Sequence, residues 1–286
     1  MHLLILLLLT AVVANATIAP DKIENVRGLL RDHKVTEAES AANSLVAAHP
    51  ADAEAHALLA RVCLAKNDAD GAVKAGEKAV ALAPANSDLQ LQLGDTYGFA
   101  AQKGSVFSMP GWAKKCRLAY EKAVELDPAN LTARSSLLGF CQQAPGLMGG
   151  GLDKAYEQAA AIKKLDAARG RVAYATLYGA EKKYDLALTE FDAALKLSPD
   201  DYAALYQMDK LSVLSGQFLE RGLASLRRCL ELTPPDGAPG HAAAQWRIGN
   251  ILEKKNDSAG ARAAYDAALQ LDPKFAQAAD SLKKMK

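Results

Sequence analysis

The sequence predicts an all-α protein, a solenoid of about seven stacked helix hairpins closed by a short C-terminal helix. Three observations predict it. Alanine, the strongest helix former, occurs 58 times in 286 residues. Aromatic residues make up only 6%, and Val/Ile/Thr runs of strand length are scarce, which excludes an all-β chain. A phrase of two apolar residues, any residue, Leu, any residue and Pro recurs, ending at prolines 84, 128, 199, 234 and 273, and at Pro50 with Ala48 in place of the Leu. Their spacings are 34, 44, 71, 35 and 39. The long gap divides in two if Lys164-Leu165-Asp166-Ala167 is a repeat end with Ala in place of Pro.

Residues 1–16 read as an export leader outside the solenoid. Leu3–Leu9 is an unbroken apolar run, extended by Ala11–Val13. That is too short for a bilayer, which needs about 20 residues. Ala14-Asn15-Ala16 offers a small-x-small cleavage site, so the mature chain is expected to start at Thr17. The expected location is outside the cytoplasm, the periplasm first and secretion as the alternative. No Cys follows the apolar run to carry a lipid, and no later run has spanning length.

The remaining chain, 17–286, reads as one superhelical domain. Its hairpins are expected at 21–50, 51–84, 85–128, 129–167, 168–199, 200–234 and 235–273, with a cap at 274–286. Each Pro ends a helix, because it lacks an N–H and pushes the preceding residue out of the helical region. Upstream of each Pro, apolar residues recur at helical spacing, as at Tyr120, Ala123, Val124 and Leu126 or Phe191, Ala194, Leu195 and Leu197. A lone hairpin cannot bury both faces, so neighbours must stack. The cap ends polar, with Lys283, Lys284 and Lys286.

These residues resemble the tetratricopeptide repeat family. Its 34-residue pattern puts Leu-Gly and an aromatic on the first helix, then Ala, an aromatic, Ala and Pro on the second. Leu93-Gly94, Tyr97, Tyr120, Ala123 and Pro128 follow it, with Cys116 where the first Ala belongs. So do Ile248-Gly249, Ala261, Tyr265, Ala268 and Pro273. Tyr178, Ala187, Phe191, Ala194 and Pro199 form a third set, and Ala60, Ala72, Ala79 and Pro84 a fourth. The resemblance implies a right-handed α-solenoid whose first helices line a concave ligand groove.

Two insertions depart from the repeat, at 102–112 and 142–151. Both are apolar: Val106, Phe107, Met109 and Trp112 in one, Pro145, Leu147 and Met148 in the other. Two readings stand. They pack on each other as a satellite core with Trp112 folded over Met148, or they form an edge that binds a partner. On the first reading a helix begins at Trp112, after a turn set by Pro110 and Gly111.

In the groove, family register places Arg169, Val172 and Thr176 on the fifth hairpin. Tyr206 and Lys210 follow on the sixth, and Trp246 and Asn250 on the seventh. Val172, Tyr206 and Trp246 would form a channel for an extended peptide, flanked by Arg169 and Lys210. Trp246 has a second reading, as a cover for the Pro234–Gly240 turn. The Lys and Asn pattern with which some family members hold a C-terminal carboxylate is not matched.

Chemistry finds little footing. Lys plus Arg is 34 against 33 Asp plus Glu, which argues against a nucleic-acid partner. Cys63, Cys116, Cys141 and Cys229 occupy packing positions; a Cys116–Cys141 bridge is the alternative. No CxxC or HExxH is present, so no metal or cofactor is expected. The chain is therefore expected to be a non-enzymatic scaffold for a protein or peptide. The rival readings are an enzyme using the two inserted loops and an adaptor that self-associates.

Overall fold

The computed structural model describes residues 18–235 and 237–285; the leader 1–16 lies outside the described residues. Among these there are fifteen α-helices and no strand. The helices pair between the prolines: α1 Pro20–Arg31 with α2 Val35–Ala48, α3 Ala53–Ala65 with α4 Ala69–Leu82, and α5 Ser87–Lys103 with α6 Met109–Leu126. Then come α7 Leu131–Gln143 and α8 Leu152–Leu165, α9 Ala167–Ala180 and α10 Tyr184–Leu197, and α11 Tyr202–Ser215 and α12 Leu219–Glu231. The series ends with α13 His241–Lys254, α14 Ser258–Leu271 and the single helix α15 Ala276–Lys284.

The helix ends follow from one short sequence device. Each Pro of the set 50, 84, 128 and 199 is followed two residues later by Asp or Asn, and that residue caps the next helix. Asp52 accepts from the Glu54 and Ala55 amides at 2.8 and 3.1 Å. Asn86, Asn130 and Asp201 accept from Leu89, Ala133 and Ala204 at 3.1, 3.0 and 3.0 Å. A cap of this kind is worth about 1 kcal/mol. Within hairpins, His33, Asn67, Lys182 and Asn256 take the same left-handed backbone conformation between the two helices.

Contacts divide the chain into two compact units, one up to Ser136 and the other from Leu137. In the first unit each helix packs on the next, and α1 meets α3 and α3 meets α5. Its core joins Ile18, Val26, Ala38, Ala42, Leu45, Ala55, Leu58 and Val62. In the second unit α9 meets α11 and α11 meets α13. In both, contact between successive first helices puts those helices on the inner side of the stack.

Close approach within a hairpin depends on small residues facing large rings. A Cβ on Gly94 would lie 2.4 Å from the Tyr120 ring, and one on Gly249 2.3 Å from the Tyr265 ring. Tyr265 is fully buried. The cysteines take part in the same packing: all four are buried thiols. Burial pushes Cys116 and Cys229 up to about 11.

The insertion at 102–112 is not a long loop. Most of it is helical, so α5 runs to 17 residues and α6 to 18, against 13 or 14 in most others. Pro110 sits in the first turn of α6, where a missing N–H costs nothing. The helix expected to begin at Trp112 therefore begins at Met109. Only Gly104–Ser108 is turn.

The C-terminal cap corrects the groove reading of Trp246. Its ring meets Phe275 edge-on at 6.2 Å, and its Nε1 donates to Ser281 Oγ of α15 at 3.1 Å. Trp246 thus joins the cluster of Ala261, Tyr265, Ala268 and Ala278, with Leu282 beside it. Trp246→Ala should therefore destabilise the folded chain by about 2–3 kcal/mol in urea unfolding, in the lower range for a large aromatic because the ring is only partly buried. Unchanged stability would return the ring to the groove.

Candidate functional site

The second unit holds a cleft of about 170 Å³ on its inner side. Its wall is the C-terminal half of α9, with Ala175, Thr176, Gly179 and Ala180, facing Gln207, Lys210, Leu211 and Leu214 of α11. Phe191 of α10 closes the floor and Gln142 of α7 reaches the rim. The depression exists because α9 presents only small residues there. Leu214 is 58% exposed, an apolar side chain standing in water at the mouth. Among the described residues, Lys210 has no carboxylate partner.

Why Lys210 and Thr176 are available is visible by comparing hairpins. At the same inner position, Asp95 accepts from Tyr120 Oη and Asn250 from Tyr265 Oη, both at 2.8 Å. Asn250 and Asp95 therefore serve their own hairpins. The fifth hairpin has Phe191 in place of that tyrosine, and α12 contains no tyrosine. Thr176 accordingly turns its hydroxyl back to the Val172 carbonyl at 2.9 Å, and the Lys210 ammonium remains at the cleft.

The remaining groove residues do not form the expected channel. Val172 packs against the cluster of Ala175, Ala187, Phe191, Met208 and Leu211. Arg169 is paired with Asp166 at 3.5 Å. Tyr206 stacks on Tyr202 at 6.3 Å and is covered by the Arg247 guanidinium, 4.4 Å above its ring. Arg247 is held there by an ion pair with Asp209, itself only 1% exposed. Burial raises the Asp209 carboxyl, and the guanidinium opposes that rise. The cleft lies a turn beyond the predicted string, so Gln142, Ala175, Gly179, Gln207, Leu211 and Leu214 were missed. The signal for them is the run of small residues at one end of α9 beside the exposed Leu214.

The two inserted turns do not bury their apolar tips. Phe107 is 97% exposed and Leu147 99%. Met109 is also exposed, while Met148 is half-buried. Trp112 stacks on Tyr97 at 5.8 Å, within its own hairpin. The second turn is a short 3-10 segment, Gly146–Met148. Gly149 and Gly151 follow it with φ of 84° and 119°, values that glycine adopts without penalty.

No three His, Cys, Asp or Glu side chains converge among the described residues. No described helix is long and apolar enough to cross a membrane.

Comparison with known proteins agrees with this architecture. A tetratricopeptide repeat model matches residues 24–87 and 213–276, and a second tetratricopeptide repeat model matches 168–201. No curated relative matches the chain in sequence. Yeast Tom70 is similar in structure, with a TM-score of 0.68 at 19% identity over 96% of this chain and 58% of its own. A tetratricopeptide repeat protein from Parabacteroides merdae gives 0.59 at 15% identity, covering 93% of this chain and 98% of that one. A thermophilic TPR protein of Thermus thermophilus gives 0.55 at 20% identity, covering 67% and 97%. These likenesses establish the fold, and the repeat matches with the small-to-large packing establish the lineage: the chain belongs to the tetratricopeptide repeat family.

Proposed function

We propose that this protein is an exported, non-enzymatic scaffold that holds a peptide or protein segment in the cleft between α9 and α11. The repeat architecture is a protein-interaction fold; the particular site is our reading. The observation that carries it is the pairing of an apolar floor with an unspent cation. Phe191, Leu211 and Leu214 offer surface for an apolar side chain, while Gln142, Thr176, Gln207 and Lys210 offer polar contacts around it. That is the composition of a site that orients a ligand by a few polar groups over a greasy base.

Binding without chemistry is supported by where the reactive groups are spent. The hydroxyls of the inserted segment 102–112 are Ser105 and Ser108, and no His, Asp or Glu stands in that segment. Ser105 and Ser108 of that segment are bonded to each other and to the turn backbone. Export is supported by the leader pattern, an apolar run over Leu3–Leu9 followed by Ala14-Asn15-Ala16. N-terminal sequencing of the protein from a cell-envelope fraction should begin at Thr17; a start at Met1 would overturn the export reading.

The cleft is tested by filling it. A Cβ on Gly179 would meet only Leu211 Cδ1, at 3.8 Å, an ordinary contact, so Gly179→Met should fold and project into the cleft. Peptides selected from a displayed library on the wild-type chain should bind the variant at least about tenfold more weakly, a loss of about 1.4 kcal/mol, with the melting temperature unchanged. Equal affinity for both would place the binding surface elsewhere.

A further inference from the structure

The turn between α5 and α6 has a use that the cleft does not supply. Residues 96–120 carry Lys103, Lys114, Lys115 and Arg117; Arg117 is paired with Glu121 at 2.7 Å, which leaves the lysines as the positive charge about the turn. At the centre of this cationic stretch stand Val106, 79% exposed, and Phe107, 97% exposed. Two neighbouring apolar side chains held almost wholly in water are costly unless something covers them.

The turn presents them on a stiff support. The Ser105 carbonyl accepts from the Met109 amide at 2.9 Å and the Ser108 amide at 3.0 Å, and from Ser108 Oγ at 3.2 Å. Below it, Trp112 stacks on Tyr97 at 5.8 Å. The Lys115 ammonium lies 4.8 and 5.1 Å over those two rings and pairs with Glu77 at 3.3 Å. Glu77 also accepts from Tyr97 Oη at 2.7 Å. Lys103 sits 5.4 Å over Phe99, and Lys114 is exposed and has no carboxylate partner among the described residues.

We propose that this turn docks the protein on an anionic lipid surface. The shape of the site selects lipid over a folded partner. A protein anchor ring is surrounded by contacts that exclude water, whereas Phe107 is a protruding tip with none around it. A tip of that form enters the headgroup region, and lysines at its foot meet lipid phosphates through flexible stems. Lys103 and Lys114 fit that role because neither is spent on an internal carboxylate. One aromatic, one valine and two free lysines give weak, reversible attachment, comparable to a single short acyl chain. The element therefore assists localisation and does not anchor the protein alone.

The test uses the full chain with Phe107→Trp, which keeps a large ring and makes it a reporter. The emission of the parent chain, with Trp112 and Trp246, is subtracted. Vesicles of phosphatidylcholine mixed with phosphatidylglycerol should shift the new tryptophan to the blue and shield it from an aqueous quencher; pure phosphatidylcholine should do so far less. Because the reporter is at the tip, attachment through the apolar leader alone leaves it unshifted. Lys103→Gln with Lys114→Gln should weaken partition by about 25-fold, from about fivefold per lysine near the surface. Adding Val106→Ser should weaken it further, with helicity unchanged. No blue shift with either vesicle, an equal shift with both, or a shift produced instead by lipid-free protein extract would overturn the proposal.

Discussion

A bare backbone against a tyrosine ring is the constraint on which the rest of this structure depends. Gly94 under Tyr120 and Gly249 under Tyr265 leave 2.4 and 2.3 Å for a side-chain carbon that is not there. That absence lets the two helices of a hairpin close on each other, and the buried ring then fills the space between them. The ring brings a hydroxyl with it, and a buried hydroxyl needs a partner. The partner is the inner-face Asp95 or Asn250 of the same hairpin. Packing thus decides which inner-face polar groups are occupied. The cleft between α9 and α11 lies where phenylalanine, or no aromatic at all, removes the obligation.

Most of this architecture was legible because each signal is local. Proline stops a helix through its own ring, and the Asp or Asn two residues later caps the next through its own carboxylate or amide. Such signals need no knowledge of neighbours. They place helix ends at 50–53, 84–87, 128–131 and 199–202, and the small and large residues between them identify the repeat.

The site was less legible because it depends on pairs of hairpins. Register placed Tyr206 and Trp246 on the inner face, but two non-local partners claim them: Arg247, fixed by the buried Asp209, and the cap residues Phe275 and Ser281. Nothing at positions 206 or 246 announces those claims. The extra residues at 102–112 misled for the opposite reason. Counted against a 34-residue period they look like loop, yet Gln102, Lys103 and Trp112 continue helices, and Pro110 is tolerated in a first turn. The apolar residues left over are those at the tip, Val106 and Phe107, which stand 79% and 97% exposed.

The account stands most directly on the coupling between Gly249 and Tyr265. Gly249→Ala, Tyr265→Leu and the double variant should be compared with the parent in urea unfolding. In the parent background Gly249→Ala should cost about 1–3 kcal/mol, the penalty of overpacking against a ring that cannot move. In the Tyr265→Leu background the same substitution should cost little, because the atoms it strikes are gone. Equal costs in the two backgrounds would contradict the account and show that hairpin closure does not depend on the glycine beneath the ring.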